Sequence, residues 1–401
     1  MSKKNRKWLV FTIMCLAYMP GSYAQYQLSV YASELIQSFG LTTSQFSSLF
    51  TAPMIVAIFL SFVGGMISDK VGSKKVINIS FVIAGIGMIG RVFANSYMPF
   101  FLCMALTGFS NMFVNINASK ITASWFEQEK LGILMGIFAF CGQLPGAFAT
   151  ATTAVLFDSR TSAFIVSAIF CISVFVLWLL FVKDKPEDTM EEREKIDQEN
   201  QPSIGDSLKV VLSNKGIWLV SICIMMALGS TVTLSTFMPM ALQTMYGIDL
   251  KVCGTIASML TLGNCIGSIT GPIVFSKIKN VKVFVSGAAV LSFAGIIMCW
   301  RFPSIFVLHI LVLYTGIMLG ASMPIFLSAP VLLEGIGTKY AGSAAGVIST
   351  LQLLGAVLIP TYILTPIAGD NYSLLFMLAS ICMVIMFLCG LLLPQFGNNQ
   401  K

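Results

Sequence analysis

Twelve long apolar stretches follow one another and account for most of the chain. Each is close to the roughly 20 apolar residues that an α-helix needs to cross a bilayer, and continuous rather than alternating runs exclude a transmembrane β-barrel. The predicted spans cover residues 8–29, 44–66, 76–94, 98–121, 131–156, 161–182, 216–240, 252–275, 283–300, 304–328, 341–366 and 373–394. The pattern therefore predicts an all-α membrane protein with twelve transmembrane helices.

Composition and charge agree with a membrane protein and not with a nucleic-acid-binding one. The 401 residues are 56% apolar and 10% charged, whereas soluble domains are roughly 45–50% apolar and about 25% charged. If the N-terminus is cytoplasmic, the only basic residues outside are Arg91, Arg160, Lys251 and Arg301. This is the positive-inside bias of cytoplasmic loops. The net charge of +7 thus reports topology, with both termini in the cytoplasm, and predicts no nucleic-acid partner.

One long hydrophilic segment divides the spans into six and six. Residues 184–215 are rich in Asp, Glu and Lys, as solvated linkers usually are. The predicted domains are therefore an N-terminal bundle at 1–183 and a C-terminal bundle at 216–401. The end of the linker, Ser207–Lys215, is predicted to form a short amphipathic helix at the membrane surface.

The two halves also carry matching residues at matching places. Trp8 opens the first span and Trp218 the seventh, while Arg91 closes the third and Arg301 the ninth, and both pairs have the same separation in sequence. Such repeats are common among secondary transporters. Arg91 and Arg301 are interpreted as anchors of helix ends at the outer surface, with an anion-attracting rim as the alternative.

The N-terminus allows a second interpretation. The basic stretch Lys3–Lys7, the apolar run from Trp8 and the small residues near Ala24 resemble a cleaved signal peptide. Cleavage would leave eleven helices and invert the charge bias. We therefore expect the first span to remain in the protein.

Residues that catalysis or metal binding would require are scarce. The ten cysteines lie in predicted spans without a CxxC pair, His309 is the sole histidine, and every carboxylate lies in a loop or near a span end. The sequence therefore predicts no catalytic site, no metal site and no cofactor. It also offers no deep acid as a proton carrier. His309 is interpreted as a packing or interface residue, with a proton relay as the alternative, since histidine titrates in the physiological range.

The turn after the second span carries a distinctive set of glycines and charges: Gly65, Asp69, Lys70, Gly72, Lys74 and Lys75. Glycines allow a tight turn between closely packed helices, and Asp69 can receive a helix N-terminus or a lysine. This turn resembles the signature loop of the major facilitator superfamily. The resemblance implies two six-helix bundles that alternate access to a midplane site, in a bacterial cytoplasmic membrane, with the signature residues at the cytoplasmic gate.

A narrower resemblance covers roughly spans two to five. The segments Leu106–Phe109, Ser124–Phe126 and Gly132–Gly136 are similar to members that carry cyanate, nitrate or small organic anions. Two features depart from related patterns. Spans two and eight lack the arginine of the nitrate and oxalate branches, and Cys141–Gly146 reverses the Gly-Pro order of the antiporter motif, which makes drug or proton antiport less well supported.

Polar side chains at helical spacing indicate where a solute would bind. In span one they recur on one predicted helix face, at Tyr18, Ser22, Gln25 and Ser29. Span four adds Asn111 and Asn115, and span five adds Gln143. Amides facing lipid are costly, so these residues either bond between helices or line a solute path; both interpretations stay open.

Lys120 is the candidate counter-charge for an anion. It lies about two turns from the cytoplasmic end of span four, and no lysine or arginine lies well inside spans two, eight or eleven. Its ammonium group either extends to the cytoplasm or faces the central cavity.

These patterns predict a transporter of a small polar or anionic organic solute. The predicted solute-binding residues are Tyr18, Gln25, Asn111, Asn115, Lys120 and Gln143. The expected partners are the small-molecule substrate, the lipid bilayer and, as a coupled species, a proton or a counter-anion; we expect a monomer. Multidrug efflux and a non-transporting nutrient sensor on the same fold are the alternatives.

Overall fold

The computed structural model describes residues 3–126, 128–182, 204–302 and 304–395. Within these residues every regular element is helical. The helices are α1 Lys3–Val30, α2 Ala32–Phe39, α3 Thr43–Val71, α4 Ser73–Phe93, α5 Tyr97–Trp125, α6 Gln128–Leu156, α7 Arg160–Phe181, α8 Ile204–Ser213, α9 Lys215–Tyr246, α10 Leu250–Ile278, α11 Val281–Met298, α12 Ile305–Ala321, α13 Met323–Leu332, α14 Gly337–Leu358, a π-helical segment Ile359–Leu364, α15 Thr365–Ala368 and α16 Tyr372–Leu392.

The predicted spans correspond to these helices. In the described part of the chain, eleven helical segments are long and apolar enough to cross a membrane. The remaining predicted span is α1, which is 28 residues long but is interrupted by polar residues such as Gln25 and Gln27. The all-α membrane fold is thus confirmed.

Two spans are less regular than predicted, and prolines lie at both irregularities. Span ten is divided between α12 and α13, where Pro324 occupies the first turn of α13. Span eleven changes from α14 to the π-helical segment at Ile359, next to Pro360. Proline has no N–H and its ring clashes with the carbonyl four residues earlier, so the α-helical ladder is interrupted there.

The chain forms two compact units. One comprises Met1–Met190 with Asp249–Gly254, and the other comprises Glu191–Ile248 with Thr255–Lys401. In the first unit α1 packs against α5, α6 and α7, and α5 packs against α3 and α4. In the second, α9 packs against α14 and α16. The first span of each unit therefore packs against the fifth span of the same unit.

Much of the predicted linker, 184–203, lies outside the described residues. From Ile204 the chain forms α8, which covers Ile204–Ser213 where a short helix was predicted at Ser207–Lys215.

Local sequence signals set the two ends of α3, and its second end lies in the signature turn. Thr42 and Gln45 form a reciprocal capping box that begins α3, and such boxes satisfy free N–H groups at a helix start. Gly72 separates α3 from α4 with φ of 95°, a conformation that glycine adopts without steric cost. The turn therefore depends on the glycine that the motif supplies.

Candidate solute-binding site

The polar residues of α1 do not share one exposed face. Tyr18 and Ser22 are half-buried, whereas Gln25 (7% exposed) and Ser29 are buried. Gln25 Nε2 donates to the Phe50 carbonyl on α3 at 2.8 Å. This bond joins two helices, which is one of the two interpretations that the sequence left open for Gln25. A solute contact for Gln25 stays a prediction.

The half-buried side of α1 runs instead through residues about one helical turn apart. Thr12 is exposed, and Met19, Ser22 and Tyr26 are half-buried. This spacing follows the 3.6-residue period of an α-helix. Tyr18 lies at the edge of this side, so Tyr18, Ser22 and Tyr26 together offer three hydroxyls and two aromatic rings.

Two tyrosine rings of α1 lie against two glycines of α6. The Tyr18 ring stacks on Phe138 with 4.7 Å between ring centroids, and a methyl group at Gly142 would overlap Tyr18 Cε1. One turn later, a methyl group at Gly146 would lie 3.0 Å from two atoms of the Tyr26 ring. Gln143, next to Gly142, is exposed. The absence of side chains at these glycines therefore fixes where the tyrosines lie.

The C-terminal half of α5 carries an exposed polar side. Asn115, Ser119 and Lys120 are exposed, whereas Asn117 on the opposite side is buried and donates to Ser68 Oγ at 3.0 Å. We call Asn115, Ser119 and Lys120 the α5 polar side.

Other helices of the same unit expose a different kind of residue. On α4 the exposed positions include Ile79, Val82 and Ile86, and on α7 they include Ile165 and Ile169. Such apolar side chains suit lipid contact. An amide and an ammonium group facing lipid would be costly, so the α5 polar side is suited to water or to a polar solute.

Asn111 contacts α1. With its amide oriented so that the nitrogen faces an acceptor and the oxygen faces donors, the nitrogen donates to the Tyr18 carbonyl at 3.2 Å and the oxygen accepts from Ser22 N–H at 3.1 Å. The structure therefore brings Asn111, Tyr18 and Ser22 together.

The position of Arg91 differs from the one predicted. Its side chain is 1% exposed, so the interpretation as a surface anchor or rim residue is wrong. Nη1 donates to the Ala24 carbonyl at 2.9 Å, and Nη2 donates to Gln27 Oε1 at 2.9 Å and to Ser167 Oγ. The guanidinium also lies 4.4 Å from the centre of the Phe164 ring. Arg91 thus connects α4 with α7 and with the C-terminal half of α1.

The lone histidine has local partners. His309 Nδ1 lies 2.8 Å from the Ile305 carbonyl one turn earlier, and Nε2 lies 3.2 Å from Thr255 Oγ1. If Nδ1 donates to that carbonyl, Nε2 can accept from the threonine. These contacts support the packing interpretation of His309.

The signature turn is described in part. Gly72, Lys74 and Lys75 are described, and Lys75 is exposed. The backbone of Gly65, Asp69 and Lys70 belongs to α3, but the side chains of Asp69 and Lys70 lie outside the description. In the part of the chain that the structure describes, no group of three or more His, Cys, Asp or Glu could hold a metal ion.

Comparison with known proteins identifies the class. The Major Facilitator Superfamily model matches residues 10–360, so the chain belongs to this superfamily of membrane transporters. The predictions of the family, of a transport function and of a protein that is not an enzyme are confirmed.

Two relatives and one structure give a finer comparison. The chain is 23% identical to a probable sulfoacetate transporter of Cupriavidus necator over 85% of this chain and 83% of the relative. It is 22% identical to a galacturonate transporter of Dickeya chrysanthemi over 74% of this chain and 90% of the relative. The fold matches an inward-facing, unoccupied bacterial homolog of the human lysosomal transporter Spinster with TM-score 0.76, at 13% identity, over 98% of this chain and 95% of that one.

Proposed function

We propose that this chain carries a small organic anion with one or two carboxylate or sulfonate groups across the cytoplasmic membrane. The observation that carries the proposal is the α5 polar side, where Asn115, Ser119 and Lys120 are exposed together. An ammonium, a hydroxyl and an amide supply the positive charge and the hydrogen-bond donors that a carboxylate or sulfonate requires. A lipophilic drug would not use them.

Residues of α1 and α6 would complete the binding site. Tyr18 and Ser22 are half-buried and Gln143 is exposed, and each carries a neutral group able to bond to hydroxyl or acid oxygens. Neutral donors and acceptors would orient the solute, while Lys120 supplies the charge. In this arrangement Asn115 contacts the solute directly. Gln25 is buried and would act on the site indirectly, through Tyr18 and Ser22.

The names of the relatives support an anion as the solute class. Sulfoacetate carries a carboxylate and a sulfonate, and galacturonate carries a carboxylate beside several hydroxyls; the named transporters share 23% and 22% identity with this chain. Identity at this level does not transfer a particular solute. It favours the chemistry that the two solutes share, an acid group on a small polar molecule.

The remaining parts of the proposal come from the sequence. Lys and Arg are concentrated on one side of the predicted spans, from which we infer that both termini are cytoplasmic. Asp69, Lys70, Lys74 and Lys75 would then form the cytoplasmic gate. Because the predicted spans hold no deep carboxylate, coupling would use a proton carried by the solute or exchange with a counter-anion. We propose that the protein acts as a monomer.

A ligand screen tests the solute class. Purified protein is heated with carboxylates, sulfonates, sugar acids, the matching neutral sugars and lipophilic cations. A ligand at 100 times its Kd stabilises the folded state by about 2.7 kcal/mol, so a cognate anion should raise the unfolding temperature while its neutral analogue leaves it unchanged. Stabilisation by lipophilic cations alone would contradict the proposal.

A further inference from the structure

The contact between Asn111 and α1 has an unusual geometry. The amide nitrogen donates to the carbonyl of Tyr18, and the amide oxygen accepts from the N–H and the hydroxyl of Ser22, at 3.2, 3.1 and 3.0 Å. Tyr18 and Ser22 are four residues apart, the spacing of one backbone hydrogen bond in an α-helix. One side chain of α5 therefore bonds to both ends of a single turn of α1.

Two residues of this turn disfavour an α-helix. Pro20 lies inside the helix; it has no N–H, so it cannot bond to the carbonyl of Leu16, and its ring crowds that carbonyl. Gly21 follows directly and has the least intrinsic preference for a helix after proline. A helix is readily bent where a side chain enters such an interrupted ladder.

Gly21 is fitted to the Asn111 amide. A methyl group built on Gly21 would overlap one of the two terminal atoms of the Asn111 amide, and it would lie 2.6 Å from Cγ and 2.9 Å from the other terminal atom. No residue with a side chain could occupy this position while the amide stays in place. The pair Gly21 and Asn111 is therefore a single packed unit, in which the missing Cβ makes room for the amide.

We propose that Asn111 is a positioning residue that sets the conformation of α1 around Pro20 and Gly21, and not a direct solute ligand. Its amide oxygen and one of its two N–H donors are engaged by α1, which leaves at most one N–H for a solute. The conformation of this turn determines where Tyr18 and Ser22 face. The proposal rests on the proposed function only in taking Tyr18 and Ser22 as part of the solute site.

The test is a double-variant cycle on Gly21→Ala and Asn111→Ala. Gly21→Ala alone should lower the unfolding temperature and reduce transport severalfold, because the new methyl group displaces the amide. In the Asn111→Ala background that methyl group has room. We expect the double variant to transport better than Gly21→Ala alone, a non-additivity typical of residues in contact. Gly85→Ala is the control, since a methyl group there meets nothing within 4 Å.

A second readout needs no solute. Met19, which is half-buried in this turn, is replaced by cysteine in a background without the native cysteines, and its labelling rate by a hydrophilic thiol reagent is measured. Asn111→Leu, which keeps side-chain bulk without hydrogen bonds, should change this rate severalfold, even if Gly21→Ala does not fold.

The outcomes distinguish the positioning role of Asn111 from the proposed solute class. Additive losses, with a double variant worse than either single one, would show that Asn111 binds solute directly and would overturn the positioning role; so would an unchanged labelling rate in Asn111→Leu. If the labelling result holds while no organic anion stabilises the protein, the positioning role of Asn111 is supported and the proposed solute class fails.

Discussion

Lys120→Gln is expected to raise the apparent KM for an organic anion roughly tenfold to a hundredfold. A hydrogen bond to a charged group contributes about 1.5–3 kcal/mol, and each 1.4 kcal/mol is about tenfold in affinity. Glutamine keeps a similar length and polarity, so the variant removes mainly the charge. Because Lys120 is exposed, folding and membrane abundance should change little. Initial uptake rates over a range of solute concentrations give the measurement.

Two controls isolate the charge. Lys209 is an exposed lysine on α8, and Lys209→Gln removes the same charge elsewhere; it should leave the KM unchanged. Lys120→Arg keeps the charge and should retain most of the transport. If Lys120→Gln transports the anion with the wild-type KM, the ammonium extends to the cytoplasm and the counter-charge must be sought elsewhere.

Gly142→Ala is expected to reduce transport at least tenfold without comparable loss of membrane abundance. The new methyl group would occupy space held by the Tyr18 ring, and extra methyl groups in packed sites cost about 1–3 kcal/mol. The ring, stacked between Gly142 and Phe138, must move away from the half-buried side of α1. Uptake at equal protein abundance in membranes measures the effect.

The matched control lies on the same helix. Gly136 is exposed and a methyl group there meets nothing within 4 Å, so Gly136→Ala should transport like the wild type. Placing Gly142→Ala in a Tyr18→Ala background should add little further loss, since the clash no longer exists. Equal effects of the two glycine variants would show that the position of Tyr18 is not what Gly142 controls.

The spans could be predicted from sequence because lipid imposes a simple requirement. Every backbone group must be paired inside the helix and most side chains must be apolar, which leaves a readable pattern in helices such as α7, Arg160–Phe181. The π-helical segment Ile359–Leu364 could not be predicted in the same way, because Pro360 signals an irregularity but does not specify its form.

The candidate site could be predicted only in part. The periodicity of polar residues indicates which residues share a helix face, but it does not indicate which residues of other helices pack against that face. Arg91 and Arg301 occupy equivalent positions in the two halves, yet Arg91 is buried and Arg301 is exposed. The difference is that Gln27 and Ser167 accept from Arg91. Gln27, an amide in an apolar span, was the available signal. The bond from Asn111 to α1 likewise depends on which residue α5 places against Gly21, and no spacing within α5 reveals it.

The central claim, that this chain transports a small organic anion, is tested most directly by uptake into liposomes that contain only the purified protein. Radiolabelled carboxylates, sulfonates and sugar acids are supplied outside, with and without the unlabelled compound inside. We predict saturable uptake of at least one anion, accelerated by the same anion inside and much reduced in Lys120→Gln. Folded protein that carries neutral or cationic compounds only, or that binds an anion without moving it, would contradict the claim.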